Sequence, residues 1–154
     1  MSLDYRFSIA SALEAQELLK LALAELHLTP EERLTSEGEP METQGPGFLV
    51  SAGPTSALEK AILQEGLSIE PTAALSFSID KFSDRARAVT AMLQAGLAVL
   101  RHVPGDAGLV FNGETVLLLR QGGHLFLDAR TGLWTPERLK LVNMPYTQKD
   151  FPVL

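Results

Sequence analysis

Two stretches of the chain alternate apolar with small or polar side chains, Tyr5–Ala10 and Ala74–Asp80. Successive side chains of a strand point to opposite faces, so both read as half-buried strands. A helical pattern follows each. Ser11-Ala12-Leu13-Glu14 has the spacing of a capping box. It predicts a helix to about Leu26, with Ala15, Leu18, Leu19, Ala22 and Leu26 as its apolar stripe. Ser83 is placed to cap a second helix, in which Ala86, Val89, Leu93, Gly96, Leu97 and Leu100 recur at the 3.6 period until Pro104-Gly105-Asp106 ends it. Arg6-Phe7-Ser8-Ile9 and Ser76-Phe77-Ser78-Ile79 echo each other ahead of these helices, a strand-then-helix unit met twice.

Between the two units the pattern weakens. Thr29-Pro30-Glu31-Glu32 predicts a short helix start, with Thr as cap and Pro at the first helical position. Residues 35–47 carry Gly38, Pro40, Gly45, Pro46 and Gly47 among Glu37, Glu39 and Glu42, which predicts a polar acidic loop. Phe48–Ser51 reads as a short strand, and Ser56-Ala57-Leu58-Glu59 as a second capping box opening a helix over 57–64.

The strongest local signal comes later. Leu109–Phe111 and Glu114–Leu119 flank Asn112-Gly113, a pair suited to the positive φ values of a two-residue type I′ turn. Simple alternation puts Leu109, Phe111, Val116 and Leu118 on one face and Val110, Leu117 and Leu119 on the other. A one-sided sheet would be polar on one of these faces. The second face therefore needs a cover: another segment of this chain, a second copy forming a homodimer, or a partner, with the first expected. Gln121-Gly122-Gly123 turns into a strand at His124–Asp128, Thr135-Pro136-Glu137 opens a last short helix, and the tail from Met144 to Leu154 is available as an edge strand. These elements predict an α+β fold with two layers, a mainly antiparallel sheet carrying two amphipathic helices on one face. Residues 1–154 read as a single domain with an acidic loop insertion at about 29–47.

Composition narrows the function. With 45% hydrophobic and 21% charged residues the chain is ordinary globular protein. It has no cysteine, so disulfides, thiolate catalysis and Cys-based metal sites are excluded. The opening residues show no basic region followed by an apolar core, and no apolar run approaches the roughly 20 residues of a membrane span. A cytoplasmic protein is expected. The net charge of −6 is uneven: residues 1–75 hold twelve acids against four bases, residues 76–154 seven against nine. Such a chain lacks the basic footprint of direct nucleic-acid binding, but suits a basic protein partner.

Catalytic signatures are absent: no G-x-S-x-G, H-E-x-x-H, Walker loop or G-x-G-x-x-G occurs. His27, His102 and His124 are too scattered for a metal site; the first two fall at predicted helix C-termini, where positive charge is favoured. No metal or cofactor is expected. Asp80, Lys81 and Asp84 lie between a strand and a helix, where an acid/base pair or a turn cap both make sense. A small-ligand or enzymatic site between sheet and helices, near Asp80, Lys81 and Trp134, is the rival to a binding function. Trp134, the single tryptophan, is a candidate partner anchor and equally a residue that packs a short helix onto the core. Glu31, Glu32, Glu37, Glu39 and Glu42 form the candidate acidic docking segment, against the plainer reading of a solvated loop.

One resemblance goes further. Leu75–Phe82, Val103-Pro104-Gly105-Asp106-Ala107, Val116–Arg120, Leu133-Trp134-Thr135-Pro136-Glu137-Arg138-Leu139 and Pro145-Tyr146 occur in that order, after an opening Leu3-Asp4-Tyr5. The chain thereby resembles the third type of the swarming-inhibition-toxin (Sit) immunity family, well over residues 70–146, loosely over 3–10 and poorly over 28–69. The resemblance implies a cytoplasmic antidote that binds and blocks a cognate protein toxin, with a basic nuclease-type toxin fitting the acidic charge. None of the matching motifs is catalytic, so the implied activity is binding.

Overall fold

The structure, a computed structural model, describes residues 2–28, 41–80 and 84–154. The elements run β1 (Ser2–Ile9), α1 (Ala15–Glu25), β2 (Met41–Gly45), β3 (Phe48–Pro54), α2 (Ala57–Leu67), β4 (Ala73–Asp80), α3 (Arg85–His102), β5 (Ala107–Phe111), β6 (Thr115–Gln121), β7 (His124–Asp128), α4 (Pro136–Leu139) and β8 (Thr147–Lys149). All eight strands join one sheet in the order β2-β3-β4-β1-β5-β6-β7-β8. Every pairing is antiparallel except β7 with β8, which confirms the α+β class. The sheet divides at the β1–β5 seam. Residues up to Asp80 build one half and residues from Ala107 onward build the other. Among the described residues the charge asymmetry of the sequence is kept: those up to Asp80 hold nine acids and three bases, those from Asp84 onward six and eight. The two echoed segments lie side by side, Arg6 opposite Ser76 and Phe7 opposite Leu75.

Local chemistry sets the boundaries, with departures from expectation. The first capping box does not form: Ser11 Oγ accepts from Leu13 N–H at 3.0 Å, a local turn that competes with the helix. The helix starts only after Glu14, whose side chain makes no cap bond. At the second box Ser56 does cap the helix, with its Oγ accepting from Glu59 N–H at 3.2 Å. Helix α2 runs to Leu67, one turn past the expected end, and closes at Ser68, which adopts a left-handed φ of 57°. Asp84 caps α3 by accepting from Arg87 N–H at 3.2 Å, so the cap is one residue beyond Ser83. Of the loop expected over 35–47, Met41–Gly45 is a strand, paired with β3 around the Pro46-Gly47 turn. Cross-strand pairing overrides local turn propensity there. Residues 35–40 and the helix start expected at Thr29-Pro30-Glu31-Glu32 lie outside the described residues.

The main face of the sheet is covered by α1, α3 and the segment from Leu133 to Met144. Tyr5, Phe7 and Ile9 from β1, Phe48 and Val50 from β3, and Leu75, Phe77 and Ile79 from β4 point into this core. Helix α3 lies in its middle, so it is buried on most sides, from Ala88 through Leu100. Helix α2 lies on the opposite face. There Leu63, Leu67 and Ile69 meet Val110, Val116, Leu119 and the tail residue Phe151 in a second apolar cluster. Helices therefore occupy both faces of the sheet, three layers rather than two. The second face of the hairpin is covered by the chain itself.

The hairpin also corrects the face assignment. Asn112 and Gly113 adopt φ of 50° and 75°, and Glu114 N–H donates to Phe111 O at 3.2 Å, as a type I′ turn requires. A bulge then shifts the ladder: Val110 pairs with Val116 but Leu109 with Leu118. The extra residue, Leu117, turns into the main core beside Leu118, and Val116 goes to the second cluster.

Candidate partner-binding surface

The second face is polar and open on one half. Cross-strand partners share a face, so register lays out its rows. Leu49, Ser78 and Asp4 form one row across β3, β4 and β1; Ser51, Ser76 and Arg6 form the next. Leu49 is 44% exposed, and the three serines are half-buried. Helix α2 is tied to this floor at its first turn. Arg6 donates from Nε to Glu59 Oε2 and from Nη1 to Ser76 Oγ. The pair is about a third exposed, so its role is to position α2 more than to stabilise. Ser78 Oγ donates to Asp4 Oδ1 at 3.2 Å. Beside Arg6, Ser51, Gly53 and Ser76 a cleft of about 690 Å³ extends to the loop Ser11–Leu13 and to Glu14.

Helix α2 buries Leu63 and Leu67 against the sheet. Its flank leaves Leu58 71% and Ile62 40% exposed. They are one helical turn apart, and Glu65 continues the same stripe. The sequence carried a signal for this ridge: Leu58, Ile62, Leu63 and Leu67 are more apolar positions than one buried stripe needs.

Of the residues singled out beforehand, Glu31, Glu32, Glu37 and Glu39 lie outside the described residues. Glu42 is on β2 at the sheet edge, opposite Ser51. Trp134 is 5% exposed and its Nε1 donates to Leu117 O at 2.9 Å, so the indole has little surface to offer a partner. The space beside it is an apolar void of about 10 Å³, room for one water at most. Lys81 lies outside the described residues, Asp84 caps α3, and Asp80 ends β4 on the surface. The residues of the rival ligand site are thus not shown converging on a cavity. His124 is exposed at the start of β7, and His102 closes α3. No group of three or more His, Asp or Glu suited to a metal occurs among the described residues, and no helix there is long and apolar enough to cross a membrane.

Of the motifs behind the family resemblance, Leu3–Tyr5 and the described part of Leu75–Phe82 lie on β1 and β4 of the open half, whereas Val103–Ala107, Val116–Arg120 and Leu133–Leu139 meet in the other half, where they are architectural. Pro104 has no N–H, so Leu100 O lacks the donor four residues on that a helix would supply. Arg120 supplies it from β6. Its guanidinium donates to Leu100 O at 2.6 Å, to Val103 O at 2.5 Å and to Gly105 O at 2.8 Å. The cation also meets the negative end of the α3 dipole. Burial lowers the Arg120 pKa from its ordinary value, and the Asp106 carboxylate acts to raise it. Arg138 ties α4 to α3 by donating to Thr90 Oγ1 at 3.1 Å and Ala86 O at 3.1 Å. Sequence reasoning missed Arg120, although an arginine closing the apolar run Val116–Leu119 was a visible anomaly.

The fold and surface define a class: an α+β domain in which Arg120 and Arg138 tie α3 to β6 and α4, while a polar sheet face and a helix flank remain available. A family model, SitI3-like, matches residues 3–138. The chain belongs to the SitI3-like family, the immunity-type class to which the sequence motifs pointed. No curated protein and no solved structure matches the chain.

Proposed function

We propose that this protein is a cytoplasmic antidote that binds a cognate bacterial toxin and neutralises it, acting by binding and not by catalysis. Its membership of the SitI3-like family over residues 3–138 carries this reading. In it, the toxin is a basic protein of nuclease type, and Glu31, Glu32, Glu37, Glu39 and Glu42 contribute contacts. The acidic charge of the first half of the chain supports that choice, because opposite charge speeds encounter and selects partners.

A rescue assay tests the reading. Each gene flanking this one is expressed in a sensitive host with and without this protein, and survivors are counted. Killing by one flanking product, reversed through a complex that copurifies, is the expected result. Killing that persists despite expression of this protein would refute the antidote role. Reversing the charge of the five glutamates should slow association and flatten its salt dependence; unchanged association would remove them from the interface.

A further inference from the structure

We propose that the toxin docks on the open face of β3, β4 and β1, with the Leu58–Ile62 ridge of α2 as the wall of the site. This inference rests on the reading above that the partner is a protein toxin. The occupant it fits is a basic protein segment that presents one or two apolar side chains flanked by Lys or Arg.

Three observations converge on this surface. The first is exposed apolar area. Of the five large apolar residues exposed among the described residues, Leu49 lies on this half-sheet, and Leu58 and Ile62 lie on the helix that packs on β5 and β6 and is tied to this half at its first turn by Glu59 and Arg6. Leu58, at 71% exposed, has no share in the core, because α2 is anchored by Leu63 and Leu67. Interfaces are built from such apolar anchors within a polar surround.

The second is the floor. Ser51, Ser76 and Ser78 are short and half-buried, so a partner can approach the sheet closely and still find hydroxyl donors and acceptors. The cleft of about 690 Å³ beside Arg6 gives that floor depth on the side away from the Asp4 row.

The third is charge. The strands of this half come from residues up to Asp80, and the described residues of that stretch hold nine acids against three bases. Arg6, the basic group of the floor, is already engaged by Glu59 and Ser76. Glu65 extends the ridge. A basic partner gains from this field, whereas a second copy would bring a like-charged surface against it.

The test uses the full chain and the purified product of each flanking gene, with binding followed by calorimetry. The variant is Leu58→Lys with Ile62→Lys. Lysine is a good helix former and both side chains point outward, so thermal melting should be unchanged. The control is Tyr146→Lys, 41% exposed just before β8 at the opposite edge of the sheet. The expected result is about a 100-fold loss of affinity in the double variant, the scale of a central interface anchor, and less than about a twofold change in the control. Wild-type affinity in the double variant would overturn this surface and leave the antidote reading standing. If wild-type protein bound neither flanking product, both would fall. If wild-type protein dimerised in light scattering and the double variant did not, the ridge would be a self-interface and the inference overturned.

Discussion

Arg120 is the residue whose replacement should cost this fold most per atom removed. The perturbation is Arg120→Met, which keeps the length and packing of the side chain and deletes the guanidinium. Three hydrogen bonds disappear, to Leu100 O, Val103 O and Gly105 O. A hydrogen bond to a charged group contributes about 1.5–3 kcal/mol net, so the gross loss is roughly 5–9 kcal/mol. Arg120 is only 8% exposed, so deleting its charge also relieves a desolvation cost of several kcal/mol. The carbonyls do not share that relief. They stay at the end of α3, and Pro104 cannot serve Leu100 O. The net destabilisation should be about 3–5 kcal/mol, a large part of the roughly 5–15 kcal/mol that holds a domain together. For a chain of this size that corresponds to a fall in Tm of roughly 6–20 °C. Urea titration followed by the fluorescence of Trp134 measures it. Arg120→Lys keeps the charge at the helix end but loses the fork, so it should recover about 1–2 kcal/mol. A loss below about 1 kcal/mol in Arg120→Met would refute the anchor, since water would then be shown to replace the guanidinium.

Three further outcomes follow from the same geometry. Gly105 has φ of 121°, and a Cβ there would sit 2.0 Å from Ala10 O, so Gly105→Ala should cost at least about 3 kcal/mol in the same titration; a near-neutral variant would show that the loop can swing clear of β1. Trp134→Phe removes the bond to Leu117 O and should cost about 1–3 kcal/mol, measured by far-ultraviolet circular dichroism because the variant has no tryptophan; a stability equal to wild type would mean the bulge carbonyl finds another donor. Ending the chain at Asp150 removes Phe151 from the second cluster and the bond from Leu154 N–H to Glu114 O, so it should lower stability by about 3–5 kcal/mol and promote concentration-dependent association in light scattering; an equally stable monomer would contradict the covering role of the tail.

The elements that local chemistry controls were legible in the sequence. Alternation located β1, β4 and the hairpin, and periodicity located α1 and α3, because both depend on which side chains face a core. Asn112-Gly113 specified its turn because few other pairs accept two positive φ values. The Ser56 and Thr135 caps formed as their spacing implied. The Ser11 box failed because a serine near a helix start has two uses, and here the local turn to Leu13 won. For the candidate surface, the sequence showed an acidic first half and an excess of apolar positions on α2, but not that these would share one face.

What the chain determined by itself was its class, its charge asymmetry, most of its strands and helices, and the family motifs. What only the tertiary structure decided was every relation set by long-range pairing. The strand order places the two sequence halves in two halves of the sheet. The bulge at Leu117 exchanges the faces of Val116 and Leu117, because one extra residue inverts a period of two. Helix α2 goes to the opposite face, because the hairpin is apolar on both sides and the second side needs a cover. Arg120 acquires its role only when β6 passes the end of α3, bringing its charge to carbonyls 15 to 20 residues earlier in the chain. Local preferences act over a few residues, whereas burial acts on whatever the fold brings together, and the candidate surface is what that burial leaves exposed.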